Sequence, residues 1–433
     1  MAWEFATEPA FQEQLDWIRT FVAEEIEPLD LAFPGRAYQP LTPELRKVVD
    51  PLKQQVRDRG LWACHLGPEL GGQGFGQLKL ALMNEILGTS SWAPVIFGTQ
   101  APDTGNAEII AHYGTEEQKR TYLQPLLDGE VFSCFSMTEP HAGSDPTMFT
   151  TRAVRDGDEW VINGEKYFTS NLDSAAFIIL MAVTNPDVHP YQGMSMFLVP
   201  TDTPGINVLR RIGTIAETHG EPMHAHIRYE DVRVPDENLL GGEGQAFVIA
   251  QTRLGGGRVH HAMRAVGQAN RAFDMMCERV LSRETQGEVL ANKQMVQEQI
   301  ADSYLQIAQF RLLVLQTAWM IDQSHDYQQV RRQIAACKVL AERVLHDVAY
   351  RAMHLHGALG VSNEMPLGNL FAVSALMGIM DGPTEVHKVT LARQVLKDHE
   401  PAEGPWPSAW LPQRRAEARE RFVDVLESEA AGG

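Results

Sequence analysis

The hydrophobic and polar positions divide the chain into three zones, which have a helical period, then a strand-like pattern, and then a helical period again. Over residues 1 to about 130, apolar residues recur at the spacing of amphipathic helices, for example within 11–27 and 42–59. A glycine-rich break at 71–76 interrupts this zone. Thr115 stands directly before two acidic residues, an order typical of a helix N-terminus because the hydroxyl caps the helix and the acids suit its dipole. We therefore expect an N-terminal helical domain.

From about residue 131 to 242 the apolar runs become short and rich in β-forming residues, as within 177–183 and 194–199. The pairs Asp156-Gly157 and Asn163-Gly164 are typical of tight turns between strands. This zone predicts a compact middle β domain, and the pattern leaves open whether the domain is a barrel or a sandwich.

The helical period returns at about residue 243 and continues to about 400. Two sets of apolar positions each fall on one helix face: Ile300, Tyr304, Ile307 and Val314 in the first, and Ile334, Cys337, Ala341, Val344 and Val348 in the second. We expect a four-helix bundle that also buries a face against other subunits. The tail is rich in proline and then in charge, which predicts a linker with a surface helix at 414–429. Together the zones predict an α+β fold, with domains at 1–130, 131–242 and 243–400 and a tail at 401–433.

Composition narrows the classes of function. The 433 residues carry a formal net charge of −19, which argues against nucleic-acid or anionic-membrane surfaces because both need clustered Lys and Arg. The first five residues lack the pattern of a signal peptide, and no apolar run is long enough for a membrane span. The four cysteines are far apart, and the histidine pairs at 224/226, 260/261 and 354/356 lack a closed ligand set. We expect reduced thiols, no metal and a cytoplasmic location.

Seven short runs carry the candidate chemistry. They are 113–119 (YGTEEQK), 137–145 (MTEPHAGSD), 163–171 (NGEKYFTSN), 232–235 (VRVP), 253–261 (RLGGGRVHH), 283–287 (RETQG) and 380–387 (MDGPTEVH). Any one of them is weak, since TEP alone is compatible with a turn after a strand and Asp381 alone with a helix cap. In this order and spacing they resemble the acyl-CoA dehydrogenase family over roughly residues 50–398. The runs at 253–261 and 380–387 most resemble the eukaryotic subgroup called acyl-CoA dehydrogenase family members ten and eleven.

The resemblance implies an FAD enzyme that converts an acyl-CoA to a 2-enoyl-CoA. No side chain accepts a hydride, so a flavin is needed, and a carboxylate must reach the α-proton. The resemblance assigns that base to Asp381, with hydride transfer from the β-carbon to flavin N5. Aspartate is one methylene shorter than the usual glutamate, so either the loop moves inward or the substrate sits differently. Some family members carry the base on an earlier helix, at the position that is Gly257 here.

The resemblance also assigns the contacts of cofactor and substrate. The flavin contacts are Phe135, Met137, Thr138, Ser144, Phe168, Thr169, Ser170, Arg283, Gln294, His354, Gly357, Pro383 and Glu385, and the substrate contacts are Ser144, Arg258 and Gly382. Arg283 and Gln294 would serve the flavin of a neighbouring subunit, which implies a homodimer or a homotetramer. Gln286, His354, Pro383 and Glu385 depart from the usual family residues. For Arg258 a salt bridge at a helix end is an alternative, and for His354 and His356 a contact with a polar substrate group is a further hypothesis.

Other functions share this sequence pattern. The expected electron acceptor is an electron-transfer flavoprotein, but a nitroalkane oxidase, which uses an aspartate base, or an acyl-CoA oxidase would have the same fold and pass electrons to oxygen. Ser144 and Arg258 favour the CoA thioester over a nitroalkane. A non-catalytic flavoprotein is a third hypothesis, and the intact carboxylate of Asp381 argues against it.

Overall fold

The computed structural model of the protein describes residues 6–68, 72–217 and 222–432. The predictions for the first five residues and for Gly71 lie outside this part of the chain. Clustering of the fold gives two compact units, Met1–Lys388 and Val389–Gly433.

The N-terminal part is helical, as predicted. Its helices are α1 (Pro9–Phe21), α2 (Glu27–Ala32), α3 (Pro43–Asp58), α4 (Gly76–Leu87), α5 (Ala93–Ile96), α6 (Asp103–Tyr113), α7 (Glu116–Gln118) and α8 (Gln124–Leu127), with π-helical turns at Val22–Ile26 and Lys119–Leu123. The capping role of Thr115 is confirmed. Its hydroxyl accepts a hydrogen bond from the Gln118 backbone at 3.2 Å, and the Gln118 side chain accepts one from the Thr115 backbone at 3.0 Å.

The middle part is one large sheet. Its strands are β1 (Phe132–Ser136), β2 (Arg152–Asp156), β3 (Glu159–Ser170), β4 (Ala175–Val183), β5 (Met194–Pro200), β6 (Ile206–Ile212), β7 (His224–Pro235) and β8 (Leu239–Leu240). The hydrogen-bonded order is β6-β7-β3-β2-β4-β5-β8, and β1 pairs in parallel with β4. Within the described residues this path ends at β6 and β8, so the β domain is confirmed and the barrel alternative is not.

Strand β4 shows why the predicted apolar run is continuous. Phe177, Ile179 and Met181 point into a core shared with α6, whereas Ile178 and Leu180 point into a second core on the other face of the sheet. A strand that is buried on both faces has no solvent side on which polar residues would alternate. The strand therefore needs apolar residues at every position.

The turn predicted at Asn163-Gly164 is wrong. Both residues lie inside β3, at a bulge in its pairing with β7. Gly164 has a φ of +148°, and a Cβ there would lie 2.5 Å from Oγ1 of Thr151. The glycine therefore provides room for the close approach of another segment rather than a reversal of the chain. The turn signal at Asp156-Gly157 is correct, because it joins β2 to β3.

The C-terminal part consists of long helices. They are α9 (Ala246–Ser282), α10 (Gln294–Ser324), α11 (Arg331–His356), α12 (Leu367–Met377), α13 (Thr384–Leu396), α14 (Leu411–Arg421) and α15 (Val423–Ala431), and a small hairpin of β9 (Glu284–Thr285) and β10 (Glu288–Val289) lies between α9 and α10. The α+β prediction with two helical parts and a β part between them is thus confirmed. Residues of α1, α4, α9, α10 and α11 share one core.

The predicted face of α11 is confirmed, since all five of its apolar positions are buried. On α10, Ile307 and Val314 are buried, but Tyr304 is 62% exposed. The buried stripe passes instead through Ser303, whose hydroxyl donates to the Gln299 carbonyl at 2.7 Å. Tyr304 is one residue further, about 100° around the helix, and therefore points away from the core. Residues 414–429, predicted as one helix, belong to two, which separate at Phe422.

The cysteines agree with the expectation of reduced thiols, and the hydropathy of the helices bears on the separate question of a membrane span. All four cysteines are free, and three of them are buried. Over the described ranges, no helix combines the length and the apolar character that crossing a membrane requires.

Gly164→Ala should destabilise the protein by about 2–3 kcal/mol, because the new methyl group meets Thr151. The urea midpoint of the loss of β-sheet signal in circular dichroism measures the effect. Gly157→Ala is the matched control. Gly157 has a φ of +69° but open space around a Cβ, so its replacement should cost only about 1 kcal/mol. Equal midpoints for the two variants would contradict the packing argument.

Candidate active site

The loop between α12 and α13 turns the Asp381 carboxylate towards the N-terminal half of α9. Asp381 has a φ of +54°. Its Oδ1 lies 3.9 Å from Nη1 of Arg253, and its Oδ2 lies 3.6 Å from Nε2 of His261. A Cβ on Gly257 would lie 3.0 Å from the same Oδ2. These three residues of α9 are four apart and share one face. The carboxylate is thus directed at α9, not at the start of α13, where a capping residue would point.

The run of three glycines in α9 allows this approach. Gly257 leaves space for Asp381, while Cβ atoms on Gly255 and Gly256 would lie 2.9 Å and 3.0 Å from atoms of Tyr327. A Cβ on Gly256 would also lie 2.7 Å from Oε2 of Glu108. Side chains from three other elements therefore contact the backbone of α9 here. The alternative base position at 257 is filled by the Asp381 carboxylate itself.

The backbone of the loop at Asp381 is held by two side chains, the guanidinium group of Arg258 and the imidazole ring of His387. Nε of Arg258 donates to the Asp381 carbonyl at 2.9 Å, and Nε2 of His387 lies 3.3 Å from the same oxygen. Arg258 lies well inside α9, so the alternative of a helix-end salt bridge is wrong. Gly382 follows with a φ of +105°, and a Cβ there would lie 3.0 Å from the His387 ring. The predicted residues Asp381, Gly382 and Arg258 are therefore brought together.

Helix α11 braces the same loop from the other side. The ammonium group of Lys338, which is buried, donates to the carbonyl of Met377, the last residue of α12. Oγ1 of Thr384, the first residue of α13, donates to Oε2 of Glu342 at 2.5 Å. Lys338 and Glu342 are four apart on α11, so one helix face holds both ends of the loop.

The surrounding charges keep the Asp381 carboxyl ionised. Burial alone would raise its pKa, but the charge interactions of the carboxyl group with His261, Arg253, Arg258 and Lys338 outweigh burial and lower the pKa below the usual range. Burial lowers the pKa of His261 to about 4, so this ring is neutral near pH 7. Arg253, Arg258 and Lys338 are then the charges that stabilise the carboxylate.

Two other acids near Arg253 behave in the opposite way. Burial raises the pKa of Glu108 to about 7, although Tyr327 donates to its Oε1 at 2.8 Å. Burial also raises the pKa of Asp103 to about 6, although it accepts hydrogen bonds from Ser133. Of these three carboxyl groups, Asp381 is therefore the one that is fully ionised at neutral pH.

A buried ion pair joins the MTEPHAGSD and NGEKYFTSN runs. Nζ of Lys166 lies 2.9 Å from Oε1 of Glu139 and donates to the Met137 carbonyl at 2.7 Å. Both charged side chains are almost fully buried. The Tyr167 backbone also donates to the Thr138 carbonyl at 2.8 Å. These contacts fix the loop after β1 against β3, where the predicted flavin residues lie.

The predicted flavin wall on β3 presents an aromatic ring to solvent. Phe168 has a φ of +56° and is 42% exposed, which is unusual for a phenylalanine within a strand. Oγ1 of Thr169 lies 2.9 Å from Oγ of Ser136, and Oγ of Ser170 lies 2.8 Å from Nδ1 of His224. Thr169 is fully buried, so its side chain does not reach this surface. The exposed Phe168 ring and the half-buried Ser170 beside it fit a planar, hydrogen-bonding cofactor such as FAD.

The remaining predicted residues are exposed or lie further away. Ser144 is exposed on the loop after β1, and Pro383 and Glu385 flank the start of α13. Arg283 is exposed just after α9, and Gln294 is exposed at the first position of α10. Twenty-six residues of helical rise separate Gly257 from Arg283, about 39 Å along the axis. Arg283 therefore cannot reach the Asp381 site of its own chain.

At the end of α11, His354 is exposed and its ring lies 4.3 Å from that of Tyr350. His356 is buried with Nδ1 2.8 Å from the Ala352 carbonyl, so its ring is engaged by its own helix. Gly357 follows with a φ of +68°. Among the described residues, no group of three or more His, Cys, Asp or Glu side chains is arranged to hold a metal ion.

Sequence reasoning missed several residues of the site. The run at 253–261 includes Arg253 and His261, but the family resemblance assigns neither of them a contact with cofactor or substrate. No local sequence pattern indicates Glu108, Asn106 or Tyr327. Each is far from Asp381 in the chain and comes near it only because both pack against α9. The triple glycine was the one available indication that other elements approach this helix.

Glu108→Gln should make stability less dependent on pH. The folded-state pKa of about 7 is above the ordinary 4.5, so the stabilising contribution is complete below about pH 4.5 and is lost as pH rises through 7. The free energy of unfolding of the variant relative to wild type should rise between pH 5 and 8, by at most about 3 kcal/mol. Urea denaturation at several pH values measures it. Glu298→Gln, at an exposed position, is the control, and parallel curves for Glu108→Gln and wild type would contradict the assignment.

Comparisons with known proteins identify the family of the chain. Three family models match the chain. The model of the "Acyl-CoA dehydrogenase, N-terminal domain" matches residues 9–130, that of the middle domain matches 134–232, and that of the C-terminal domain matches 244–396. "Probable acyl-CoA dehydrogenase FadE2" of Mycobacterium tuberculosis is 44% identical and covers 83% of this chain and 88% of that protein. Acyl-CoA dehydrogenase family member 11 of Gallus gallus is 41% identical over 81% of this chain, which spans only 45% of that protein.

Among solved structures, butyryl-CoA dehydrogenase from Megasphaera elsdenii is 26% identical, with a TM-score of 0.79 over 91% of this chain and 100% of that one. Proteins named family member 10 are matched as well, so the predicted resemblance to members ten and eleven is confirmed. The chain therefore belongs to the acyl-CoA dehydrogenase family, whose members are FAD-dependent oxidoreductases.

Proposed function

We propose that the chain dehydrogenates an acyl-CoA to a 2-enoyl-CoA, with Asp381 as the base that removes the α-proton. The observation that carries this proposal is the ionised Asp381 carboxylate, which is held against the glycines of α9 with cations beside it. An ionised carboxylate is the form that accepts a proton. Neither Glu108 nor Asp103 meets this requirement fully at neutral pH, because burial raises the pKa of both.

The proposed FAD site lies along β1 and β3. Phe135, Met137 and Thr138 would border the ring system on one side, and residues 168–170 would lie against it on the other. When bound, FAD supplies the acceptor for the hydride that leaves the β-carbon. The chain supplies the orientation, since the Glu139–Lys166 ion pair fixes the loop that carries Met137 and Thr138.

The proposed substrate contacts are Ser144, Arg258 and Gly382. Negative charge builds on the thioester oxygen as the α-proton leaves, so a donor near the base lowers the barrier. The backbone around Gly382 is suited to this role because Arg258 and His387 already hold the neighbouring carbonyl of Asp381. The exposed Ser144 would meet the CoA part of the substrate.

Assembly into a homodimer or homotetramer is part of the proposal. The separation of Arg283 from the Asp381 site supports the assignment of Arg283 and Gln294 to the flavin of a neighbouring subunit. His354 and Gly357 would contact the ADP half of the cofactor. Apolar residues that are more than half exposed on α10, such as Met295 and Leu305, also suit burial against another copy. The proposed electron acceptor is an electron-transfer flavoprotein.

Asp381→Asn should leave FAD bound and slow its reduction by acyl-CoA about 10³-fold, because the amide cannot accept the α-proton. Anaerobic stopped-flow bleaching of the flavin, with butanoyl-, octanoyl- and palmitoyl-CoA, measures the rate. Asp187→Asn, on an exposed turn, is the control and should react as wild type does. Reduction of Asp381→Asn at the wild-type rate would remove Asp381 from its role.

The same assay separates the proposed reaction from that of an oxidase. Under nitrogen, wild-type flavin should bleach with an acyl-CoA and not with nitroethane. Reoxidation should then be fast with an electron-transfer flavoprotein and slow with dissolved oxygen. Bleaching by nitroethane alone, or faster reoxidation by oxygen, would instead establish an oxidase of the same fold.

Arg283→Ala should weaken FAD binding about 10-fold or more without changing the fold, because a charged contact with the cofactor of the neighbour is lost. Retention of FAD on dilution, followed by flavin fluorescence, measures the effect, and light scattering reports the assembly. Arg415→Ala, on the exposed tail helix α14, is the control. Wild-type FAD retention by Arg283→Ala in an intact oligomer would exclude the contact, and a monomeric wild-type protein that binds FAD tightly would exclude the assembly.

A further inference from the structure

We infer that Arg253 is a positioning residue for Asp381, and that its guanidinium group fixes the direction in which the base carboxylate points. Arg253 is outside the residues that the family resemblance assigns to the site. The inference rests on the proposed function, because it gives Arg253 its role relative to Asp381 as the base.

Arg253 is held on three sides. Its Nε donates to Oδ1 of Asn106 at 2.8 Å. Its guanidinium carbon lies 3.9 Å from the centre of the Phe135 ring, a cation–π contact. A Cβ on Gly105 would lie 2.9 Å from Cγ of Arg253, so the glycine provides the space for the side-chain stem. Only 8% of the residue is exposed, so packing and the hydrogen bond together restrict the conformation of the side chain.

Asn106 is itself fixed to the sheet. Its Nδ2 donates to Oγ of Ser133 at 2.8 Å and to the Cys134 carbonyl at 3.2 Å. The Ser133 hydroxyl in turn donates to Oδ1 of Asp103 at 2.5 Å. A chain of hydrogen bonds therefore runs from α6 and β1 to the guanidinium group. It fixes Arg253 relative to these two elements, and Arg253 in turn lies against Asp381.

The distance between Arg253 and Asp381 suits a base better than a tight ion pair would. At 3.9 Å, the contact between Nη1 and Oδ1 is too long for a hydrogen bond but close enough for a strong charge interaction. The lone pairs of the carboxylate thus remain free to accept the α-proton. A hydrogen-bonded arginine would occupy them.

Other ionisable groups also face Asp381, but none contacts its carboxylate in the way that Arg253 does. They are Arg258 and His261 from α9, Lys338 from α11, and His387 from α13. Arg258 and His387 contact the backbone carbonyl of Asp381, and Lys338 contacts the carbonyl of Met377. His261 is neutral near pH 7. Arg253 is therefore the cation that contacts the carboxylate itself.

Arg253 is faced in turn by two acids of α6, Asp103 and Glu108, which share its charge with Asp381.

Arg253→Met and Arg253→Lys test the inference in the FAD-loaded enzyme. The readout is the rate of anaerobic flavin reduction across pH, with the acyl-CoA among butanoyl-, octanoyl- and palmitoyl-CoA that reduces wild type fastest. The methionine variant should be slower at pH 7 by 10-fold or more. As the pH is lowered, its rate should also begin to fall about one pH unit higher than that of wild type, because loss of the cation raises the pKa of the base. This fall is called the acid limb of the pH profile. The lysine variant should restore the limb, since its charge remains, but only part of the rate. Arg415→Met, on the exposed tail, should match wild type.

Asn106→Ala provides a second test that keeps the arginine. It should slow reduction about 10-fold while the acid limb stays near that of wild type, because Arg253 keeps its charge and loses its fixed position. The inference would be overturned if Arg253→Met binds FAD and has the flavin-reduction rate and the acid limb of wild type. If Arg253→Met fails to fold or to bind FAD, a wild-type rate in Asn106→Ala would overturn it.

Asp381→Asn, run beside these variants, separates the two levels of the proposal. Wild-type reduction by Asp381→Asn would remove the proposed function and the inference with it. If Asp381→Asn is inactive and Arg253→Met reacts as wild type does, only the role of Arg253 is lost.

Discussion

Three adjacent glycines in the first third of α9 are the constraint on which the site depends. Glycine inside a helix costs about 1 kcal/mol relative to alanine, so three of them weaken the helix locally. In return, Tyr327, Glu108 and the base loop approach the backbone of α9 closely enough that any Cβ on these glycines would clash with them. The length of α9 and its burial in a core shared with α10 and α11 offset this local cost. Local helix propensity is thus given up for the approach of the base.

The second constraint is electrostatic. Burying several carboxyl groups near one another is unfavourable unless their charges are compensated or their protons retained. Here the cations are arranged unevenly. Asp381 has Arg253, Arg258 and Lys338 near it, whereas Asp103 and Glu108 share only the more distant charge of Arg253. The environment therefore separates three chemically similar acids into one ionised carboxylate, that of Asp381, and two groups that hold their protons to higher pH. Such a separation of acidities is how a site assigns roles to identical functional groups.

The sequence predicted those parts of the molecule that depend on local pattern. Strand β4 and the buried face of α11 were predictable because their burial is written directly in the apolar spacing. Asp381 was predictable because its run could be compared with a family. Arg253 and Asn106 were not, since they are 147 residues apart and the reason for their pairing exists only after α6 has packed on α9. Gly164 was misread for a related reason. Its neighbour Thr151 comes close through the sheet, so the glycine served a contact that no short window of sequence shows.

On the proposed assignment of Arg283, helix α9 also links the Asp381 site to assembly. The glycines that receive the base lie near its first third, and Arg283 follows its last residue, about 39 Å away along the axis. On the proposed assignment, this one helix presents a base site at one position and a cofactor contact for the neighbouring subunit at the other. A rigid element of this length does not let the two positions move independently. On this assignment, the placement of the flavin in one subunit would depend on how the α9 helix of its neighbour is packed.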